Sequence, residues 1–344
     1  MNILIRKILV RWQVRQWLKK PIHRKAEMTI DKDSIPSNNP SGNISGDYHI
    51  PVLLKETIEG LNIKPDGVYV DCTMGGGGHS RAILEKLNES GKLVVFDQDE
   101  DARKNLPDDE RVIFVPQNFK HLQRFLRLHK VGKVDGLLAD LGVSSHQFDE
   151  ADRGFSIRFD AALDMRMDQR QKLTAADIIK NFTEAQLHKL FEHYGEVTNS
   201  KTLAKTIVTQ RALMPIKTIN ELKQALAEIV KGNPQKYFAQ VFQALRIEVN
   251  DELGALKELL EQIPAVLNDG ARVAIITFHS LEDRIVKNFF KAGTFIETAS
   301  DDLYGNKPEN PLHIITKKPV TADAAELKIN TRSRSAKLRI AEKK

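Results

Sequence analysis

Between residues 67 and 140, short apolar runs alternate with segments of helical period. Strands are expected at 67–71, 92–97, 112–115 and 134–140, with helical repeats near 79–87, 99–105 and 118–130 between them. This alternation builds βα units of a parallel sheet. The pattern then changes. Residues 149 to about 236 show no strand, but helical periods at 175–180, 184–194, 201–211 and 219–230, with Thr174, Thr183 and Asn199 placed to cap them. Alternation resumes with one long helix over 237–263, a strand at 271–278 and a helix at 281–291. Two late strands, near 312–316 and 336–341, close the sheet. An α/β body at 47–148 and 237–344 is therefore expected, interrupted by a helical insertion at 149–236.

The first strand breaks into a turn that suits a ligand. Val68-Tyr-Val-Asp-Cys-Thr-Met-Gly-Gly-Gly-Gly-His-Ser80 reads as strand, tight turn and helix start. Glycines there can take positive φ, and free amides at a helix start attract polar or negative groups. Twenty-two residues after Gly75 the second strand ends in Asp97-Gln-Asp99, where a carboxylate usually holds ribose hydroxyls. The pair reads as the nucleoside half-site of a Rossmann-like sheet. A dinucleotide fingerprint wants another glycine where this chain has Ser80 or Arg81. Asp71, closing the strand before the glycines, suits a cofactor with a free amino-acid moiety, such as S-adenosylmethionine, better than a pyrophosphate. Methyl transfer leads hydride transfer.

In such sheets ligands bind beyond the carboxyl ends of the strands. Chemistry is expected at Asp140-Leu-Gly-Val-Ser-Ser-His146 and Thr277-Phe-His-Ser-Leu-Glu-Asp283, and Asp140 and His279 are the candidate catalytic residues.

Charge alters the picture less than it first suggests. The chain of 344 residues has a net charge of +6, but residues 1–46 hold nine basic and three acidic side chains and account for all of it. That segment is expected to be a basic extension followed by a Pro-, Gly-, Ser- and Asn-rich linker, with Met28 as a possible working start. Its apolar runs are too short for a signal peptide or a membrane span. A second basic stretch, Arg332 to Arg339, reads equally as an edge that adds a few phosphate contacts or as an ordinary solvated terminus. The lone cysteine, Cys72, excludes internal disulfides and a cysteine-rich zinc site, and no metal is expected. Cys72 sits where a small core residue packs, and a reducing cytoplasm fits.

Seven strings occur in one order: Tyr48-His-Ile-Pro-Val-Leu-Leu-Lys-Glu56, Met74-Gly-Gly-Gly-Gly-His-Ser80, Asp140-Leu-Gly-Val-Ser-Ser145 with Gln147, Arg153-Gly-Phe-Ser156, Leu163-Asp-Met-Arg-Met-Asp168, Phe242-Gln-Ala-Leu-Arg246 and Phe278-His-Ser-Leu-Glu-Asp-Arg284. Together they resemble the ribosomal RNA small subunit methyltransferase H family from about Tyr48 to Ala341. The resemblance implies a class I methyltransferase sheet, S-adenosylmethionine as cofactor, and methylation of the N4 amine of a cytosine in the decoding region of 16S ribosomal RNA. It implies cofactor contacts at Gly77, Gly78, His79, Asp97, Phe119, Asp140 and Gln147. Residues 1–46 have no family counterpart, and the 295–330 segment is shorter than in some relatives, which bears on the substrate rim.

Methylation at cytosine C5 generally needs a cysteine nucleophile, and Cys72 lies on the wrong side of the turn. Phe155 and Arg153 are candidates to stack an unstacked base, unless Phe155 packs the insertion. From residue 47 onward the charges balance, so recognition is expected to depend on shape and to favour an assembled small subunit. A methyltransferase for another amine, or an RNA-binding module without catalysis, are the rival readings.

Overall fold

The computed structural model describes residues 51–295 and 309–344. The basic extension and linker expected at 1–46, the 48–50 start of the first motif and residues 296–308 of the short rim segment lie outside the described residues. Seven strands form one sheet: β1 (Val68–Asp71), β2 (Lys92–Phe96), β3 (Val112–Val115), β4 (Val134–Asp140), β5 (Leu267–Thr277), β6 (Leu312–Ile314) and β7 (Lys337–Lys343). Their order is β3-β2-β1-β4-β5-β7-β6. β1 to β5 run parallel, and β7 is antiparallel to both β5 and β6. The chain steps outward from β1 to β3 and then returns to the far side of β1 as β4. The order therefore reverses between β1 and β4, the place where such sheets hold ligands.

Both faces of the sheet are covered, which is why the strands read as continuous apolar runs. Tyr69, Leu93, Val95, Leu138, Ala274 and Ile276 point to one core, completed by Leu61 and Ile83 from helices Leu54–Leu61 and Gly78–Leu84. Val70, Val94, Phe96, Leu137, Val273 and Ile275 point to the other, against helices Leu122–Leu128, Glu252–Val266 and Ser280–Ala292. Cys72 belongs to that second core at 2% exposure, and burial, then Asp71, pushes its thiol well up, so it is a core residue and no nucleophile.

A third core lies within the helices between β4 and β5. It gathers Phe155, Leu163, Met165, Met167, Ile178, Phe191 and Leu222, with Val241, Phe242, Leu245 and Val249 from helix Pro234–Asn250. Thr174 and Thr183 form capping boxes with Asp177 and Gln186 as expected. Asn199 is an N-cap by position only: its side chain donates to the Ile229 carbonyl instead (2.9 Å).

The single helix expected over 237–263 is in fact two, Pro234–Asn250 and Glu252–Val266, broken at Asp251 with φ 49°. Asn250 accounts for the break. It accepts from the Met167 amide (2.8 Å) and donates to the Met165 carbonyl (2.8 Å), fixing the end of the first helix to a loop of the third core. The first helix thus serves the third core, while Leu256, Leu259, Leu260 and Ile263 of the second serve the sheet. Among the described residues, no helix is long and apolar enough to cross a membrane.

Candidate active site

The glycine turn is held from beneath by side chains of β1 and β2. Asp71 is buried at the end of β1, where it accepts from the Ser80 hydroxyl (2.6 Å) and the Thr73 amide (3.0 Å), tying strand to helix. Burial raises its carboxyl above the ordinary value, against the pull of those bonds. Asp97 accepts from the amides of Gly75 (2.8 Å) and Asp99 (2.8 Å), and Asn105 donates to the Gly75 carbonyl (3.0 Å). Burial pushes Asp97 up to about 7; the Asp99 and Gly75 amides oppose the shift, and the charges of Asp99 and Asp71 add to it.

The four glycines do different things. Gly75 (φ 49°) and Gly77 (φ 73°) need left-handed backbone, and a Cβ on Gly77 would press on the Asn105 carbonyl at 2.9 Å. On Gly78 a Cβ would collide with the Pro51 ring, whereas at Gly76 it would meet nothing within 4 Å. Gly77 and Gly78, named from sequence as cofactor contacts, therefore pack closely against protein. Gly76 leaves the open approach.

Beside the turn a cleft is lined by Gly75, Asp97, Asp99, Ala102, Asn105, Ser144, His146 and Gln147. It brings the end of β2 against the loop after β4. Gln147 is fixed twice: it closes a capping box with Ser144, and its Nε2 donates to Asp99 Oδ2 at 2.7 Å. Asp99, Asn105, Ser144 and His146 were not singled out from sequence, although Ser144-x-x-Gln147 is a readable capping box. Phe119 is absent from the cleft lining; it is half-buried in a short 3-10 turn, Phe119–His121, and packs against the sheet core.

Across the switch point, Asp140 ends β4 with its amide donating to Thr73 Oγ1 (2.7 Å). Its side chain is 24% exposed, and its Oδ1 is buried without a hydrogen-bond partner. Burial, then the carboxylates of Asp71 and Glu282, hold it well above the usual carboxylate range. His79 lies with Nδ1 3.7 Å from Asp140 Oδ2 and Nε2 3.1 Å from the Val52 carbonyl. A carbonyl can only accept, so the proton is on Nε2 and Nδ1 turns a lone pair to Asp140. Burial lowers His79 to about 4, opposed by the Val52 bond, so it is neutral and does not hold Asp140 ionised.

His279 follows β5 and caps helix Ser280–Ala292. Its Nδ1 accepts from the Glu282 amide (3.5 Å), and Glu282 Oε2 accepts from the Phe278 amide (2.9 Å). That places the His279 proton on Nε2, a buried atom 3.3 Å from Glu282 Oε1 but without hydrogen-bond geometry. Burial works to raise Glu282, but the close approach of His279, the Phe278 amide and the Arg246 charge outweigh it and hold the carboxyl below its ordinary value. Glu252, His279 and Glu282 bring one potential metal-ligand atom each within 4.8 Å of one another. Arg246, however, forks onto both oxygens of Glu252 (2.8 and 3.0 Å), and His279 turns an N–H inward. The cluster is a salt-bridged network.

At two places the structure bears on alternatives that the sequence left open. Phe155 is buried in the third core and Arg153 is 9% exposed, with its guanidinium donating to Asp99, Asp101 and the carbonyls of Arg166 and Met167; neither is free to stack a base. The basic stretch 332–339 is largely paired: Arg332 with Asp149, and Lys337 and Arg339 with Asp283. Those pairs leave few of its charges for phosphates.

Residues 47–344 match the MraW methylase family. The ribosomal RNA small subunit methyltransferase H of Cytophaga hutchinsonii is 54% identical over 299 residues, covering 86% of this chain and 99% of its own length. The protein of the same name from Bacteroides thetaiotaomicron is 52% identical over 298 residues, covering 86% and 98%. A solved rRNA methylase from Streptococcus thermophilus aligns with 88% of this chain at 13% identity and a TM-score of 0.36, too loose a likeness to carry an argument. With a Rossmann-like sheet, a glycine turn braced by Asp97 and near-complete coverage of both relatives, the chain belongs to the MraW methylase family.

Proposed function

We propose that this protein transfers the methyl group of S-adenosylmethionine to the exocyclic N4 amine of a cytosine in the decoding region of 16S ribosomal RNA, in the cytoplasm and on an assembled small subunit. The observation that carries this reading is Asp140 Oδ1, buried without a hydrogen-bond partner at the end of β4, next to the β5 end that carries His279, whose Nε2 faces Glu282 Oε1 at 3.3 Å without hydrogen-bond geometry. A buried polar atom without a partner costs about 1–3 kcal/mol. An acceptor at one strand end and a donor at the next are the chemistry a cytosine edge needs, since its N4–H donates and its N3 or O2 accepts. The names of the relatives support ribosomal RNA as the substrate.

The residues fit the cofactor. Asp97 spends one bond per oxygen on the turn and keeps lone pairs for a ribose diol, Gly76 leaves the backbone open, and Asp71 and Asp140 favour a cation at the switch point. When bound, S-adenosylmethionine supplies an electrophilic methyl group. The chain's residues do the rest. The cytosine amine is a poor nucleophile because its lone pair is delocalised into the ring; Asp140 accepts one N4–H and His279 donates to the ring edge, holding the amine in line. With the sulfonium charge of a bound cofactor keeping it ionised, Asp140 would accept the proton that N4 loses as the methyl group leaves sulfur for nitrogen. Such positioning and proton transfer are worth orders of magnitude. Attack from cysteine plays no part, since Cys72 is in the sheet core.

We assign the helical region 149–236 to reading the folded substrate. Nucleoside mass spectrometry of small-subunit RNA from cells with and without the gene tests the product: loss of N4-methylcytidine is expected, and an unchanged level would end the proposal. In vitro, an assembled subunit should be methylated much faster than a hairpin of the same sequence. Equal initial rates at physiological salt would show that shape is not what is read.

A further inference from the structure

Arg153 sits between the cofactor cleft and the helical region and makes contact with both. At 9% exposure its guanidinium donates to Asp99 Oδ2 (2.8 Å), Asp101 Oδ2 (3.2 Å), the Arg166 carbonyl (3.0 Å) and the Met167 carbonyl (3.1 Å). Asp99 lines the cleft, and the oxygen that takes the Arg153 bond also takes that of Gln147 Nε2 (2.7 Å). On the other side, the carbonyls of Arg166 and Met167 belong to a loop that Asn250 grips at the Met167 amide and the Met165 carbonyl. Gln98 adds a contact from its Nε2 to Met167 Sδ at 3.2 Å. One planar fork thus spans the β2 end and the loop at the base of the third core. Lysine cannot reproduce this, because a single ammonium lacks the fixed, divergent donors.

We propose that Arg153 is a positioning residue that couples occupancy of the cleft to the order of the 163–172 loop, and so to the helical region assigned to the RNA. This rests on the cofactor reading above. A ligand filling the cleft touches Asp99 and Gln147, fixes the carboxylate that Arg153 holds, and so narrows the geometries open to the guanidinium and to the two carbonyls beyond it. Coupling of this kind is reciprocal: order imposed on the loop by RNA tightens the cleft by the same factor. The physical basis is a contiguous chain of hydrogen bonds from Gln147 through Asp99 and Arg153 to the Arg166 and Met167 carbonyls.

The test is hydrogen–deuterium exchange on the full chain with and without S-adenosylhomocysteine, for the wild type and Arg153→Lys, with a thermal melt to confirm that the variant is folded. In the wild type, ligand should slow exchange at 75–78, 97–99 and 144–147, and also at 163–172 by about fivefold or more, the low end of typical coupling. In Arg153→Lys the cleft segments should still respond to saturating ligand while the ratio at 163–172 returns to about one. A merely structural role would speed exchange at 163–172 in both ligand states and leave the ratio unchanged, which overturns the coupling. Protection confined to the cleft in the wild type overturns it without the variant, so the test stands even if the variant fails to fold. No protection anywhere would instead remove the cofactor reading, and the coupling with it.

Discussion

The two sides of the switch point are built on opposite terms. On the β1–β2 side the polar groups are satisfied: Asp71, Asp97, Asp99, Asn105 and Gln147 each hold named partners within the protein, so the turn and cleft keep their shape without a ligand. On the β4–β5 side Asp140 Oδ1 is left without a hydrogen-bond partner, and His279 Nε2 faces Glu282 Oε1 at 3.3 Å without hydrogen-bond geometry. A preformed surface suits binding, whereas groups held in reserve suit chemistry, because their interactions appear only when the substrate arrives. The lesson is that satisfaction of hydrogen bonds, more than residue type, separates a binding carboxylate from a reacting one.

Substitutions on each side should therefore fail differently. The largest effect is expected from Asp140→Asn, which keeps the size of the side chain and removes its basicity: turnover should fall about 100-fold or more, a larger loss than in cofactor affinity. Single-turnover rates beside calorimetry decide this, and equal losses in both would make Asp140 a cofactor ligand only. Asp97→Ala should do the reverse. It strands the Gly75 amide as well as a ribose hydroxyl, at about 1.5–3 kcal/mol, so S-adenosylmethionine binding should weaken at least tenfold. Unchanged affinity in a folded variant would take Asp97 out of the site.

The smallest effect concerns pH. Asp97 titrates near 7 in the folded protein against an ordinary value of 3.8. Between these values the native state keeps a proton that the unfolded chain has lost, so this contribution to stability is present in acid and is lost as pH rises through about 7. Melting temperatures of the ligand-free protein should show that decline, and Asp97→Asn should flatten it. A decline of the same slope in the variant would assign it to other groups.

The sheet was legible because its strands are buried on both faces, and their uninterrupted apolar runs, from Val68 to Asp140, follow from that. The ends of β1, β2 and β4 were legible too, since topology puts Asp71, Asp97 and Asp140 at one edge. What escaped was tertiary. The apolar period runs unbroken across Asn250 and Asp251, and only bonds to Met165 and Met167 explain the break. Arg153 and Phe155 looked available for a base because nothing local shows that Asp99 and two carbonyls more than a dozen residues on would claim the guanidinium. Nor does local sequence show that Phe119 packs against the sheet core or that most of the basic run at 332–339 is ion-paired with distant partners.

The strand order also has a consequence for how the molecule is made. Every residue lining the cleft lies between Gly75 and Gln147, ahead of the whole helical region, whereas β5 and His279 come after it. During synthesis the parallel strands β1 to β4 leave the ribosome first, and β5 can join β4 only after the helices between them have emerged. Closing so long a loop is the costly, slow kind of pairing. The nascent chain therefore holds every residue that lines the cleft before it holds His279, which reaches the switch point only when β5 pairs with β4.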